Sequence, residues 1–271
     1  MGATVNKKYY DTLNGEAAVL TQRVLFPAEE TILSSVKESI RDKAILEIGA
    51  GAGRVTPHLR ALTRHYVGFD YSPAMIAAAK ALYPDAPLFI HDATDMSAFK
   101  TGEFDAIFFC WNGIDEIKLS DRARILQEVH RLLKADGIFV FSSHNLEWSF
   151  IPAYVFPEFA YSSSLFIYVL DSFLGLVAYA VTALKYLFSK LTSKGQTALW
   201  EYENSPKKLL VPRIYIRPEA QIRQLYLAGF QQVEAIASDG TALTDKNYDE
   251  DFFVYYVAKK GKVTIISSIR Y

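Results

Sequence analysis

The chain has 271 residues, and 51% of them are hydrophobic, which is enough apolar material for the core of a full α/β domain. Its 29 lysines and arginines nearly balance its 30 aspartates and glutamates, so no basic face is expected to neutralise the phosphates of a nucleic acid. The single cysteine, Cys110, excludes an internal disulfide and a cysteine metal cluster. The N-terminus has no apolar run of the signal-peptide kind, so we expect a cytoplasmic protein.

The first predicted helix begins at Pro27-Ala-Glu-Glu, because proline suits the first helical turn and acidic residues there complement the helix dipole. Apolar Ile32, Leu33, Val36 and Ile40 give this helix one face. We expect residues 1–43 to form an N-terminal helical lid.

From Ala44 onward, short apolar runs alternate with amphipathic helices, a pattern that stops after Ser143 and resumes near Pro218. Such alternation predicts a mostly parallel sheet covered on both faces. The strands are predicted at Ala44–Ile48, His65–Asp70, Leu88–His91, Phe104–Cys110, Gly137–Phe141, Gln232–Ala237 and Phe252–Ala258. The helices are predicted at Arg54–Leu62, Pro73–Leu82, Asp121–Leu133 and Glu219–Leu227.

The predicted fold class is therefore α/β, with a Rossmann-like seven-stranded sheet and helices on both faces. Its last two strands follow each other without a helix, which indicates a hairpin at the sheet edge. We assign this domain to residues 44–144 and 207–262, interrupted by an insertion at 145–206.

A glycine-rich turn, Glu47-Ile-Gly-Ala-Gly-Ala-Gly53, lies between the first strand and the following helix. Its glycines let the backbone approach a ligand and place free helix amides at the carboxyl edge of the sheet, where open α/β sheets bind ligands. The spacing departs from the dinucleotide fingerprint at Arg54. Glu47 would repel a phosphate, yet it can accept a hydrogen bond from an ammonium group.

Two further acids, Asp70 and Asp92, end the second and third predicted strands. A carboxylate at the second strand end can accept both hydroxyls of an unphosphorylated ribose, and the one at the third is placed for an adenine amino group. A ligand with an ammonium group, a ribose and an adenine but no phosphate is S-adenosylmethionine, which we therefore predict as the cofactor.

The stretch from Ala44 to Ser143 resembles a class I S-adenosylmethionine-dependent methyltransferase of the small-molecule type. The resemblance rests on the glycine turn, on Asp70 in Val-Gly-Phe-Asp-Tyr-Ser, on His91-Asp-Ala93 and on Phe104–Phe109 as the fourth strand. The turn Leu132-Leu-Lys-Ala-Asp-Gly departs from the family's usual leucine-lysine-proline-glycine-glycine at Ala135 and Asp136.

We expect the cofactor to contact a set of residues at the ends of the first four strands. This set comprises Glu47, Gly49, Ala50, Gly51, Gly53, Asp70, Tyr71, Met75, Asp92, Ala93, Cys110, Trp111 and Asn112. Two members have an equally simple alternative: Trp111 as a core tryptophan and Cys110 as a small buried hydrophobe.

Catalysis of methyl transfer depends mainly on holding the acceptor in line with the methyl group and on excluding water, and a general base is needed only for a protonated acceptor. His144, directly after the fifth strand, is our first candidate base; the alternative is a loop histidine satisfied by backbone. Asp115 and Tyr9 are secondary candidates. Asp115 is interpreted equally well as a solvated loop acid, and Tyr9 equally well as a lid aromatic. The five histidines are dispersed, so no metal is predicted.

The acceptor is expected to lie under the apolar insertion at 145–206, where Asp171 is the only charged residue from Phe159 to Leu184. This insertion has three interpretations: a helical cap, a membrane-surface helix through 159–191 or a spanning helix. The charge-free run Phe173–Leu184 is too short to span a bilayer. An apolar cap favours a small hydrophobic acceptor that is lipid-like or secondary-metabolite-like and is methylated on oxygen or nitrogen. Residues 110–113 lack the tetrad used by enzymes that methylate nucleic-acid bases, so no nucleic acid is expected.

Three alternative functions stay open at this point. A carbon methyltransferase that acts on a quinone-like or isoprenoid ring would also be served by an apolar cap. Aminopropyl transfer from decarboxylated S-adenosylmethionine shares the fold. A non-catalytic subunit that only binds the cofactor would support a partner protein.

Overall fold

A computed structural model describes residues 24–148, 198–203, 211–243, 248 and 251–261. These ranges contain the strands β1 (Ile45–Ile48), β2 (Tyr66–Asp70), β3 (Leu88–Ile90), β4 (Phe104–Phe109), β5 (Leu133–Asn145), β6 (Ala198–Glu203), β7 (Val211–Ile216), β8 (Phe230–Ile236) and β9 (Phe253–Lys260). They also contain the helices α1 (Pro27–Ile40), α2 (Thr56–Arg60), α3 (Pro73–Leu82), α4 (Leu119–Leu132) and α5 (Pro218–Leu227), and a 3₁₀ turn at Gly113–Glu116.

The sheet begins with β3, β2, β1, β4 and β5 side by side, all parallel. On the other edge of β5 lies β9, which is antiparallel to it and pairs in turn with β8. The mostly parallel sheet and the closing hairpin are as predicted. The strand order changes direction between β1 and β4, and this switch point is where open α/β sheets form a ligand crevice.

Two hydrophobic clusters, one on each face of the sheet, explain why the central strands are apolar on both sides. All four residues of β1 are buried, with Leu46 and Ile48 in one cluster and Ile45 in the other. Ile45 packs in the same cluster as Ile32 of α1, whereas Leu46 packs in the same cluster as Val129 of α4. Helix α1 is thus part of the core of this domain.

The fifth strand is longer than predicted at both ends: it begins at Leu133, and the polar run Ser142–Asn145 continues it. These four side chains are all buried, and the backbone of residues 138–144 pairs with β9. The buried polar residues obscured the apolar signal on which the strand prediction depended.

The prediction of a helical insertion is wrong for its end, because residues 198–203 form strand β6. β6 pairs antiparallel with β7, and β7 pairs in parallel with the last two residues of β5. This hairpin extends the sheet beyond the end of β4, so the described residues form nine strands where seven were predicted.

Two other predicted segments, 1–23 of the lid and 149–197 of the insertion, lie outside the described residues. Within the described ranges, no helix combines the length and the apolar character needed to cross a membrane.

Candidate functional site

A cavity of about 580 Å³ lies at the carboxyl ends of the central parallel strands. Most of the predicted cofactor residues line it: Glu47, Gly49, Ala50, Gly51, Asp70, Tyr71, Met75, Asp92, Ala93, Cys110 and Trp111. Gly53 and Asn112 do not line it, although their neighbours Arg54 and Gly113 do.

The glycine turn needs glycine for two different reasons. Gly51 has φ +55° and a Cβ there would meet no atom within 4 Å, so this residue keeps the backbone open to the cavity. At Gly49, with φ +65°, a Cβ would lie 2.8 Å from the Phe109 ring, so glycine there permits close packing of β1 against β4.

Glu47, at the start of the turn, is a buried carboxyl with two hydroxyl partners. Its Oε2 accepts hydrogen bonds from the hydroxyl of Thr56 at 2.8 Å and from the hydroxyl of Tyr66. Burial raises the pKa of Glu47 to about 7, although the hydrogen bonds and the Arg54 charge act in the opposite direction. Near neutral pH, the cavity wall therefore holds a carboxyl that a ligand cation would convert to its charged form.

The acids at the next two strand ends are held by their own turns. Asp70 is buried and accepts the backbone N–H of Gly51 on Oδ2 and that of Ser72 on Oδ1, both at 2.9 Å. Asp92 is exposed, and its Oδ1 accepts the backbone N–H and the hydroxyl of Thr94, both at 2.8 Å. Backbone amides thus hold each carboxylate in place at the cavity.

After β4 the chain takes an unusual turn, because both Trp111 and Asn112 have positive φ, 58° and 56°. Consecutive non-glycine residues in this region are strained, and such strain is concentrated at functional sites. The turn presents Trp111 to the cavity with 45% of its surface exposed, so the interpretation as a core tryptophan is wrong. Cys110, beside it, is partly buried, and burial raises the pKa of its thiol well above the usual value.

A buried ion pair that the sequence did not reveal joins α1 to the cavity wall. The Nη1 and Nη2 of Arg54 lie 2.6 Å from the two carboxylate oxygens of Glu29. Glu29 also accepts the backbone N–H of Phe26 at 2.9 Å and the hydroxyl of Tyr255 at 3.1 Å. The only sequence signal for Glu29 was that of an acid in the first turn of a helix.

The far wall of the cavity was also missed, since much of it is formed by irregular backbone after β3 and between β4 and α4, with further residues from the end of β3 and the start of α4. Glu116 accepts the hydroxyl of Tyr71 at 3.1 Å across this end of the cavity. The other unpredicted residues of this wall are Ile90, His91, Thr94, Ile117, Lys118, Asp121 and Arg124.

The two described catalytic candidates, His144 and Asp115, lie side by side. Asp115 Oδ2 lies 2.7 Å from His144 Nδ1 and accepts the backbone N–H of His144 at 2.6 Å. Both side chains are buried, so the interpretation of Asp115 as a solvated loop acid is wrong. Neither residue lines the cavity, and Tyr9 lies outside the described residues.

The charge of Asp115 is maintained by buried donors. Arg122 donates to Asp115 Oδ1 at 2.8 Å, and the Ser143 hydroxyl donates to the same oxygen at 2.6 Å. Burial acts to raise the pKa of Asp115, but the Arg122 charge and the hydrogen bonds from His144 and Ser143 outweigh it and hold this pKa below its usual value.

The two ring nitrogens of His144 have different surroundings. Nε2 lies 3.5 Å from Asn112 Nδ2 and 3.4 Å from Arg213 Nη1, and both of these atoms are donors. Nδ1 faces a carboxylate, which only accepts. In a neutral ring, this arrangement would place the proton on Nδ1, facing the carboxylate, and the lone pair on Nε2.

The comparisons with known proteins agree with this geometry. Residues 46–141 match the family described as "Methyltransferase domain". An uncharacterized protein of Methanocaldococcus jannaschii is 30% identical over 141 residues, which cover 52% of each chain. The chain thus spans about half the length of the curated relative it matches.

Solved structures share the fold at low identity. An S-adenosylmethionine-dependent methyltransferase from Clostridium acetobutylicum has a TM-score of 0.57 at 14% identity, with 88% of this chain and 93% of that chain covered. A TehB-like S-adenosylmethionine-dependent methyltransferase from Corynebacterium glutamicum has a TM-score of 0.54 at 16% identity, with 96% and 100% covered. Residues 46–141 thus match a methyltransferase domain, and the described residues share the Rossmann-like fold of solved S-adenosylmethionine-dependent methyltransferases.

Proposed function

We propose that the protein transfers the methyl group of S-adenosylmethionine to an oxygen or nitrogen atom of a small hydrophobic acceptor. The observation that carries the proposal is the convergence of Glu47, Asp70 and Asp92 on one cavity around an open glycine turn. This donor set suits a ligand with an ammonium group, a ribose and an adenine but no phosphate. The bound cofactor would supply a sulfonium-linked methyl group that is already activated for displacement.

Each acid has one role in this proposal. Glu47 accepts the ammonium group of the methionine end, a charge-assisted hydrogen bond that favours the ionised carboxylate. Asp70, held by two backbone amides, accepts the ribose hydroxyls. Asp92 accepts the adenine amino group. The remaining cavity-lining residues of the predicted set supply shape, and Gly53 and Asn112 act through the conformation of their turns.

His144 is the proposed general base for acceptors that carry a proton on the reacting atom. The lone pair on Nε2 can take that proton, and Asp115 is a positioning residue that orients the ring and stabilises the imidazolium. Tyr9 stays a secondary catalytic candidate, with a lid aromatic as its alternative.

A hydrophobic acceptor is supported by the aromatic surroundings of His144. Its ring centroid lies 5.0 Å from those of Tyr215 and Phe252, and Trp148 packs on Phe252 at 4.7 Å. The aromatic-rich sequence of residues 145–206 adds to this environment.

The first test is a calorimetric titration of the protein with S-adenosylmethionine and S-adenosylhomocysteine. We expect binding to the wild type and a loss of about tenfold or more in Asp70→Asn, since a hydrogen bond to a charged group contributes about 1.5–3 kcal/mol. Asp85→Asn, which changes an exposed acid outside the cavity, is the matched control and should bind like the wild type. Folded wild-type protein that binds neither ligand would remove the proposal.

The acceptor class is tested separately, by turnover of S-adenosylmethionine with a panel of apolar and polar alcohols, phenols and amines. Consumption of the cofactor with apolar members supports the proposal. Turnover with polar members only would contradict a hydrophobic acceptor, and methylated carbon in the product would contradict the assignment to oxygen or nitrogen.

A further inference from the structure

Arg54 has donors that the protein itself does not use. Of its five N–H groups, Nη1 donates to Glu29 and to the backbone oxygen of Val24 at 3.2 Å, and Nη2 donates once, to Glu29. Within the described residues, the Nε–H and the second N–H of Nη2 have no acceptor. These two N–H groups point the same way along one edge of the planar guanidinium. Their separation matches that of the two oxygens of a carboxylate.

Arg54 also lies in the right place for a ligand. It follows the glycine turn directly and lines the same cavity as Glu47. Its guanidinium lies over the rings of Phe26 and Trp111, 4.6 Å and 4.8 Å from their centroids. The Glu29 pair on one edge and the two rings against its face fix the orientation of the guanidinium, so its free edge is preorganised.

We propose that Arg54 binds the carboxylate of the methionine end of the cofactor through this free edge. This rests on the proposed function and adds a recognition step to it. Glu47 binds the ammonium group and Arg54 binds the carboxylate, so the two residues together recognise an amino-acid zwitterion. Glu29 is a positioning residue, since it holds Arg54 without touching the ligand.

The assignment has a consequence for the choice of reaction. Decarboxylated S-adenosylmethionine, the donor in aminopropyl transfer, would leave the free edge of Arg54 unpaired in a largely buried site. A site built in this way therefore favours the carboxylated cofactor and methyl transfer over aminopropyl transfer.

The test compares ligands that share an adenosine but differ at the methionine end, by calorimetry. S-adenosylhomocysteine carries the zwitterion, and 5′-methylthioadenosine lacks it. We expect Arg54→Lys, which can still pair with Glu29 but has no planar fork, to weaken S-adenosylhomocysteine about tenfold or more and methylthioadenosine by less than about twofold. Glu29→Gln keeps the fork but holds it less firmly, so it should weaken S-adenosylhomocysteine by a smaller factor than Arg54→Lys does and should leave methylthioadenosine nearly unchanged.

The outcomes separate this inference from the proposed function. If the wild type binds neither ligand, the proposed function fails. If the wild type binds both, and Arg54→Lys weakens both equally or neither, Arg54 does not bind the carboxylate and the inference is overturned.

A second measurement needs no variant, in case Arg54→Lys does not fold. The wild type should bind S-adenosylmethionine at least about tenfold more tightly than its decarboxylated form, since a charge-assisted bidentate contact is lost. Equal affinities would overturn the assignment.

Discussion

Glu47 combines burial, two hydroxyl donors and a ligand-facing position in one side chain. In the unfolded chain its pKa is near 4.5, whereas in the folded protein burial raises this pKa to about 7. The folded protein therefore keeps a proton on Glu47 between these two pH values that the unfolded chain has released. The contribution of Glu47 to stability is greatest below pH 4.5 and is lost as the pH rises through 7.

Cofactor binding should show the opposite trend, because the ammonium group needs the ionised form of Glu47. We expect the affinity for S-adenosylhomocysteine to rise from pH 5.5 and to level off above about pH 7, as Glu47 loses its proton. Calorimetry across this range checks the trend. Glu47→Gln, which cannot ionise, should bind more weakly and with a flatter pH profile; an unchanged profile in this variant would assign the titration to another group.

His144 can be separated from a purely structural residue by kinetics. We expect His144→Gln to lower kcat by roughly 10²–10⁴-fold, the usual contribution of a general base, while the affinity for S-adenosylhomocysteine changes by less than about twofold. Asp115→Asn should lower kcat as well, because an amide cannot stabilise the imidazolium. A loss of cofactor binding that matches the loss of rate would point to a structural role for the Asp115–His144 pair.

The residues that support the cofactor prediction could be recognised in the sequence because each lies at or close to the end of a strand. Glu47, Asp70 and Asp92 stand at fixed places relative to apolar runs, and parallel strands bring such ends to one edge. Glu29 could not be recognised in this way, because it lies in a helix and its partner Arg54 is 25 positions away in the sequence. Only the packing of α1 on the sheet brings the two residues together. His144 and Asp115 were found separately, yet their pairing depends on the length of β5 and on the turn at Trp111.

At the scale of elements, one buried acid adds polar contacts to the apolar packing of α1 on the domain. Glu29 caps the backbone N–H of Phe26, pairs with Arg54 and accepts from Tyr255 of β9. An acid inside the first turn normally offers a few tenths of a kcal/mol through the helix dipole. Here the same side chain holds a helix, the glycine turn and the closing hairpin together.

We expect Glu29→Ala to lower the free energy of unfolding by about 3–5 kcal/mol, since it leaves Arg54 buried without its counter-ion. Tyr255→Phe, which removes one of the three partners, should cost only about 1 kcal/mol. Chemical denaturation of the two variants checks the difference. Equal losses would mean that the ion pair does not dominate the attachment of α1.

The elements that could be predicted are those whose side chains follow a simple period. Helix α3 matches its predicted bounds, because Ser72 caps it and Pro73 begins it. The end of β5 and strand β6 could not be predicted, because buried polar residues and backbone pairing with a distant strand leave no period in the sequence.

At the scale of the whole molecule, ligand binding should be visible as thermal stabilisation. S-adenosylhomocysteine at 100 times its Kd adds about 2.7 kcal/mol to the folded state, which should raise Tm by roughly 5 °C for a chain of this size. Differential scanning fluorimetry checks this value. Asp70→Asn at the same ligand concentration should show a much smaller shift, and a full shift in this variant would contradict the role of Asp70.

Ile216 is the common neighbour of two distant points in the chain: it pairs with Asn145 at the end of β5 and with Ala198 at the start of β6. The segment 146–197 therefore leaves and re-enters the domain about two strand spacings apart, roughly 10 Å. Doubling the length of a flexible loop with fixed ends costs only about 0.6 kcal/mol. A segment of different length between these two ends would therefore leave the pairing of β5, β6 and β7 in place. Exchanging this segment between relatives would test the proposal that residues 145–206 surround the acceptor.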